Sequence, residues 1–250
     1  MGAWEVLAVL CAGAGAGALN AVIGAGSLIS FPTLVALGVP PVTANVSNTL
    51  GLVPGSVAAA LGYRAELSGR GPLVRRLLVP AVLGGLTGAT LLLVLPASAF
   101  EAIVPVLLLV AAALVWLQPR VATWLATRRG AAPAHGGVEL WVGVGLTAVY
   151  GGYFGAAQGV LLLALLGILV EGSLQSANGV KNVLAGTANL TAAVVFVLVA
   201  DVDWAMAGLI ALGAWVGGTL GARYGRRLPD RVIRLGVVVV AVVVAVRWSL

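Results

Sequence analysis

Stretches of about twenty apolar residues recur along the whole chain, and the short segments between them hold most of its charges. An α-helix needs a run of about that length to cross the ~30 Å hydrocarbon core of a bilayer. Only 9% of the residues are charged and 61% are hydrophobic, whereas a soluble domain carries about 25% charged residues. The sequence therefore predicts an all-α integral membrane protein whose main partner is the lipid bilayer.

Eight of the apolar runs are long enough for full spans: 4–23, 42–62, 77–95, 101–118, 138–157, 175–200, 203–222 and 231–249. Two further pieces, 27–38 and 159–170, would each cover only about 18 Å as a helix, and each follows a glycine-rich break. We predict eight full transmembrane helices plus two short broken helices. If each short piece counts as a crossing, both termini lie outside; if both are re-entrant, both lie inside.

The basic residues orient these spans. Twelve of the 14 lie in three loops: Arg64, Arg70, Arg75 and Arg76; Arg120, Arg128 and Arg129; and Arg223, Arg226, Arg227, Arg231 and Arg234. Loops rich in Lys and Arg stay in the cytoplasm, so these three face inside. The loops at 96–101 and 201–203, which hold no basic residue, face outside. This placement explains the net charge of +6 without any nucleic-acid partner.

The chain divides into two similar halves, 1–118 and 138–250, joined by a basic cytoplasmic linker at 119–137. Each half has a polar stripe with the spacing i, i+3, i+4, i+11, which is one face of a helix. The stripes are Asn45, Asn48, Thr49 and Ser56, and Asn178, Lys181, Asn182 and Asn189. The first striped segment ends in a basic loop and the second in an acidic one. Opposite directions of equivalent helices indicate two inverted-topology repeats, as in many transporters; the alternative is two unrelated helices with similar polar spacing.

Lys181 is the most informative side chain, because apart from Arg247 near the C-terminus it is the only basic residue outside the loops. A buried ammonium favours a nearby negative charge, such as a substrate anion. The alternative is a lysine near a helix end that extends to the interface. Glu171 is a candidate proton carrier or partner for Lys181, but a carboxylate before a helix start also stabilises the helix dipole.

The asparagines of the stripes could donate N–H groups to an anion, or they could join helices together. The short helices begin near the breaks, and helix N-termini attract anions. We therefore expect an anion to bind at the repeat interface. The candidate substrate-binding residues are Gly24, Gly26, Ser27, Asn45, Asn48, Thr49, Gly155, Gln158, Asn178, Lys181, Asn182 and Asn189.

The sequence offers little for catalysis or metal binding. It has one cysteine, Cys11, and one histidine, His135, so a disulfide framework, a thiolate metal site and a histidine cluster are excluded. Paired carboxylates or an activated nucleophile within the apolar runs are missing too. We expect no cofactor, no metal and no enzymatic activity. A membrane scaffold is the remaining non-transport alternative, although such proteins usually carry a sizeable soluble domain.

Several small-residue motifs resemble those of the sulfite exporter TauE/SafE family. In the first half they are Gly24-Ala25-Gly26-Ser27, Phe31-Pro32, Gly38, Pro41-Val42-Thr43-Ala44-Asn45 and Gly62-Tyr63-Arg64. Weaker versions of these motifs begin the corresponding segments of the second half, where Gly155-Ala156-Ala157-Gln158 has fewer glycines. The likeness extends over essentially the whole chain in length, segment count and duplicated layout.

This resemblance implies a multi-pass permease in the cytoplasmic membrane of a prokaryote. Its substrate would be sulfite, a sulfonate or a related organosulfur anion, and the resemblance also implies export. A secondary transporter is expected, since the chain has no Walker motif. A proton or another ion is a possible coupling partner, and a homodimer is a possible assembly. A permease for a neutral or cationic solute is the alternative within transport.

Overall fold

In the computed structural model, residues 1–127, 137–225 and 238–239 are described, and the first two stretches fold into nine α-helices. The helices are α1 Ala3–Val22, α2 Ser27–Ala36, α3 Pro41–Gly62, α4 Gly71–Val94, α5 Ala97–Thr127, α6 Val138–Tyr153, α7 Gln158–Leu169, α8 Leu174–Val199 and α9 Trp204–Tyr224. No β-strand occurs in these residues. The predicted all-α class is confirmed.

Five helices are long and apolar enough to cross a bilayer: α1, α4, α5, α8 and α9. The protein is therefore a multi-pass membrane protein. Helix α3 has 22 residues, but its polar stripe lowers its hydropathy, and α6 has only 16 residues. The predicted span at 231–249 lies outside the described residues except for 238–239, as do most of the arginines of the second and third basic loops. The count of eight full spans stays a prediction.

Three predicted boundaries differ from the observed helices. Helix α4 begins at Gly71, before the predicted start at 77, because Arg75 and Arg76 are exposed and long basic side chains are tolerated near the end of a membrane helix. Helix α5 continues through Thr127, into the stretch predicted as a linker. Helix α6 ends at Tyr153 rather than at 157, because Gly155 takes a left-handed conformation with φ of +76°, which stops the helix while the residues around it stay apolar.

The two glycine-rich breaks share one geometry. At the end of α1, the N–H groups of Ile23 and Gly24 both donate to the Leu19 carbonyl, at 2.7 and 2.9 Å. At the end of α6, Phe154 and Gly155 both donate to the Tyr150 carbonyl, at 2.9 and 3.1 Å. Gly24 and Gly155 have φ of +84° and +76°, values that an L side chain rarely adopts. The same local structure therefore ends both helices.

After each break, the short helix folds back along the helix before it. A methyl group on Gly26 would lie 2.3 Å from the Ala16 carbonyl oxygen, and one on Gly15 would meet Ile29. Helix α2 therefore runs antiparallel to α1. Helix α7 returns along α6 in the same way, because a methyl group on Gly151 would meet Gln158 and one on Gly143 would meet Leu165.

Glycine contacts show that α9 runs parallel to α1 and α3. Along α1, Gly13 lies against Ile210 and Gly17 against Ala214, so both helices advance together. Along α3, Gly51 lies against Ile210 and Gly55 against Ala214. Small residues let the helix backbones approach this closely. Helices α1, α3 and α9 thus share one direction.

Helices α4, α6 and α8 share the opposite direction. Along α4, Gly84 lies against Ala148 and Gly88 against Gly152, while Gly85 lies against Ala188 of α8. Helices α3 and α8 are antiparallel, because three contacts pair the end of one with the beginning of the other. These contacts are Tyr63 with Asn178, Ser56 with Gly186, and Ser47 with Asp203 just beyond α8. We call the end of the bundle with Arg64, Arg70 and Arg223 the basic side.

Candidate functional site

The two helix breaks touch each other. The Gly159 N–H at the start of α7 donates to the Gly24 carbonyl at 3.0 Å. A methyl group on Gly24 would lie 2.3 Å from Gly159 Cα, and one on Gly159 would lie 2.4 Å from Gly24 Cα. Only glycine at both positions permits this approach. The predicted break residue Gly24 therefore lies directly against the second short helix, and one N–H at the start of α7 already has a partner.

Three polar side chains of α8 bind the end of α1. The Lys181 ammonium donates to the carbonyls of Asn20 and Ala21, at 2.9 and 3.2 Å. The Asn182 amide donates to the Ala21 carbonyl at 3.2 Å and the Asn178 amide to the Val22 carbonyl at 3.3 Å. The last carbonyls of a helix have no intrahelical partners. The stripe of α8 supplies these partners across 156 to 161 residues of sequence.

Lys181 is fully buried, with 0% of its surface exposed, and its Cδ lies 3.1 Å from the position of a methyl group on Gly159. It does not extend to the interface, so that alternative is wrong. Its acceptors in the described part of the chain are helix-end carbonyls and not Glu171, which is exposed. A positive charge is stabilised at a helix C-terminus because the peptide dipoles place partial negative charge there. Two acceptors leave one N–H direction of the ammonium.

The first-half stripe contacts its own short helix. Asn48 donates to the Ser27 hydroxyl at 3.2 Å and accepts from Ser30. Ser30 also contacts the Gly26 carbonyl, at 3.4 Å. Thr49, by contrast, donates to the Asn45 carbonyl of its own helix at 2.8 Å. The predicted residues Gly26, Ser27 and Asn48 therefore lie together, whereas the Thr49 hydroxyl bonds within α3.

The leading asparagines of both stripes make equivalent contacts. Asn45 donates to the carbonyl of Tyr153, the last residue of α6, at 2.9 Å. Asn178 donates in the same way to Val22, the last residue of α1. Each amide thus holds the broken helix of the other half. The side-chain oxygens of both asparagines are buried without a hydrogen-bond partner in the described residues.

The second break collects Gly155, Gln158 and Asn189. A methyl group on Gly155 would lie 4.0 Å from Asn189 Oδ1. Gln158 is buried against Gly151, and its Nε2 finds no acceptor among the residues that the structure describes. Ala157 has a left-handed φ of +60°, which is uncommon for a residue other than glycine. The lower glycine content of this break is thus accompanied by a strained alanine.

Sequence reasoning missed several residues near the breaks. Ser30 joins Asn48, and the Tyr63 hydroxyl accepts from Asn178 at 3.1 Å. Four aromatic rings pack edge to face beside the second break: Phe31, Phe100, Tyr153 and Phe154. Ser30 follows Ser27 by three residues and so shares its helix face, which was a usable signal. The ring cluster combines three distant segments, which local sequence patterns do not reveal.

Arg70 also connects the two halves, on the basic side. Its Nε donates to the Ser176 hydroxyl at 2.9 Å, and its Nη2 donates to the Glu171 carbonyl at 2.6 Å. A methyl group on Gly172 would lie 2.0 Å from Arg70 Nη2. Nothing in the sequence distinguishes Arg70 from the other arginines of its loop. No group of three or more metal-ligating His, Cys, Asp or Glu side chains occurs in residues 1–127 and 137–225.

Buried helix breaks inside a bundle of apolar spans are typical of one class of protein, the multi-pass helical membrane transporters, in which irregular backbone is tolerated where protein surrounds it. The chain matches the family model described as "Sulfite exporter TauE/SafE" over residues 9–248. It therefore belongs to the TauE/SafE family, as its motifs predicted.

Curated relatives agree with this class. The chain is 28% identical over 239 residues to "Probable membrane transporter protein ORF9" of Sinorhizobium sp, covering 93% of this chain and 87% of the relative. It is 25% identical over 233 residues to "Probable membrane transporter protein YfcA" of Escherichia coli K12, covering 93% and 85%. A "Probable membrane transporter protein" of Haemophilus influenzae is 25% identical over 239 residues, covering 95% and 92%. All three names describe membrane transporters.

Proposed function

We propose that this protein is a secondary transporter that exports a small anion, such as sulfite, a sulfonate or a related organosulfur anion. The observation that carries the proposal is the fully buried ammonium of Lys181 beside the contact of the two helix breaks. An ammonium in this position has one N–H direction left for an anion. The name of the family supports sulfite as the first substrate to test.

The binding site would comprise the residues that surround the two breaks. Lys181 supplies the charge, and the amides of Asn48, Asn182 and Asn189 supply donors. The remaining candidates from the sequence, including Gln158 with its unpartnered Nε2, complete the site around the breaks, except for Thr49, whose hydroxyl donates within α3. In the present conformation the breaks touch, so we infer that anion binding requires their separation.

Alternating access would follow from two inverted-topology repeats, 1–118 and 138–250. The directions of the helices support this assignment, because α1, α3 and α9 run opposite to their counterparts α6, α8 and α4. The fourth helix of each half packs on the first and third helices of the other half. Such interlocked halves can rock about a shared centre. Eight full spans with two short helices, in the cytoplasmic membrane of a prokaryote, are part of this proposal, and the bacterial relatives support the location.

The test is uptake and efflux of radiolabelled sulfite and of an alkanesulfonate in proteoliposomes. Native protein should give saturable flux, and Lys181→Met should lower it by about tenfold or more, because a hydrogen bond to a charged group contributes ~1.5–3 kcal/mol. Arg75→Met is the matched control: it removes the same charge from an exposed position and should leave flux intact. Size-exclusion profiles of both variants establish that they are folded.

Each other result has a definite meaning. Equal flux in the native protein and in folded Lys181→Met would contradict the anion site and favour a neutral or cationic solute. The absence of flux for both substrates in the native protein would contradict the proposed substrate class.

A further inference from the structure

The end of α1 presents oxygen atoms of the kind that bind alkali cations. The carbonyls of Asn20 and Ala21 converge on one point, which the Lys181 ammonium occupies at 2.9 and 3.2 Å. Asn178, one helical turn before Lys181 and bound through its amide to the adjacent Val22 carbonyl, has a buried side-chain oxygen without a hydrogen-bond partner in the described residues. Carbonyls at the ends of interrupted helices coordinate Na⁺ in other secondary transporters, where the C-terminal dipole also attracts the cation.

We propose that this carbonyl cluster is a monovalent-cation site whose permanent occupant is the protein's own Lys181 ammonium. The stem of Lys181 passes Gly159, where its Cδ lies 3.1 Å from the position of a methyl group, so the ammonium reaches the cluster from α8 without a gap. Removal of the ammonium takes a donor from both carbonyls: the Asn20 carbonyl loses its side-chain partner, and the Ala21 carbonyl keeps only the Asn182 amide. A free cation of matching size then binds there, because a buried carbonyl that has lost its partner is costly.

The equivalent position of the first half is uncharged. When Asn45 is aligned with Asn178, the position equivalent to Lys181 is Asn48. The Asn48 side chain binds the serines of α2 and not helix-end carbonyls. The tethered cation is therefore a feature of the second half alone. The consequence for transport rests on the proposed function. Because the tethered ammonium gives the site one positive charge without a bound ion, the carrier needs no sodium.

The main experiment is chemical rescue of Lys181→Ala, because this substitution removes a propylammonium-sized fragment. Purified protein is melted in methylglucamine chloride, and this bulky salt is replaced at constant ionic strength by sodium chloride or n-propylammonium chloride. We expect the Tm of Lys181→Ala to rise by about 3–6 °C when either cation reaches ten times its dissociation constant. Native protein should show no rise, since its site is filled.

Two controls separate a cation site from general salt effects. The neutral 1-propanol has nearly the shape of propylammonium and should not raise the Tm of Lys181→Ala. In Lys181→Met the apolar side chain fills the space of the lysine stem, so propylammonium should not rescue it. Equal shifts in native protein and Lys181→Ala, or no shift of Lys181→Ala with either cation, would overturn the inference.

The inference stays testable if Lys181→Ala is unstable in methylglucamine. Recovery of folded protein in sodium or propylammonium, but not in methylglucamine, is then the expected result, and failure to recover it in any of the three salts contradicts the inference. These melting and recovery measurements need no substrate, so they succeed or fail independently of the proposed anion transport. In proteoliposomes, native flux should be unchanged when sodium is replaced by methylglucamine, and sodium-dependent flux would contradict a permanently filled site.

Discussion

The contact of Gly24 with Gly159 allows a quantitative prediction for stability, because substitutions can separate the cost of a left-handed backbone from the cost of steric overlap. In Gly24→Ala the new side chain must adopt a φ of +84° and lies 2.3 Å from Gly159 Cα. A left-handed conformation costs an L residue about 1–2 kcal/mol, and overpacking costs about 1–3 kcal/mol. We expect Gly24→Ala to destabilise the protein by about 2–5 kcal/mol in total.

Two other glycines supply matched controls for these terms. Gly38 has a φ of +86° but no atom within 4 Å of an added methyl group, so Gly38→Ala should cost only about 1–2 kcal/mol. Gly159 lies inside α7, where alanine gains about 1 kcal/mol of helix propensity against the steric cost of its contact with Gly24. Gly159→Ala should therefore cost less than Gly24→Ala.

The measurement is the Tm of each purified variant, with about 2–4 °C expected for each kcal/mol in a chain of this size. The ratio of flux to folded protein should also fall more in Gly24→Ala than in Gly38→Ala, because only the former prevents the breaks from returning to the contact of the present conformation, which a transport cycle would have to revisit. If Gly24→Ala is no less stable than Gly38→Ala, the close approach of the two breaks does not exist as described.

Three further predictions concern the contacts between the halves. Asn45→Ala and Asn178→Ala each leave a helix-end carbonyl without its amide partner, and Asn178→Ala also removes the donor to the Tyr63 hydroxyl. Asn45→Ala should therefore lower stability by about 1 kcal/mol and Asn178→Ala by about 2 kcal/mol, and a higher Tm for Asn178→Ala than for Asn45→Ala would contradict these contacts. Arg70→Lys should lower the Tm as much as Arg70→Met, because a single ammonium does not reproduce the two guanidinium contacts to Ser176 and Glu171; rescue by lysine would contradict this geometry. Phe100→Ala, at a ring with 1% exposure, should cost about 3–5 kcal/mol in thermal melts, and a cost no greater than that of Trp204→Ala, at an aromatic side chain with 62% exposure, would show that the ring cluster is loose.

The sequence predicted those elements that depend on local composition. A run of about twenty apolar residues is sufficient to locate a helix, because in lipid the backbone must satisfy its own hydrogen bonds. The starts of α2 and α7 were also predictable, since glycines that adopt left-handed conformations precede both. The end of α6 was not, because Phe154 and the alanines after Gly155 continue the apolar run beyond the point where the helix stops.

Partners across the halves were beyond sequence reasoning. The acceptors of Lys181 are backbone carbonyls 160 and 161 residues away. Every residue has a backbone carbonyl whatever its side chain, so the sequence does not mark these two. The stripe therefore predicted that α8 has a polar face, but it did not predict what that face binds. Asn178 shows the same limit, because its amide contacts both a carbonyl of α1 and the hydroxyl of Tyr63.

The two polar stripes differ in charge, and this difference bears on how two similar halves could bind a charged substrate. The breaks and the leading asparagines are equivalent in both halves, yet the ammonium occurs only in the second, where the first has Asn48. Two buried ammonium groups near the breaks would repel each other in a medium of low dielectric constant. A single one is stabilised by the partial negative charge at the end of α1 and still attracts one anion. A Lys at position 48 should therefore destabilise the protein even though it restores the symmetry of the stripes, and thermal melts of Asn48→Lys against Asn48→Met, an uncharged side chain of similar length, would reveal the difference. Equal stability of the two variants would show that charge is not what keeps the halves unequal.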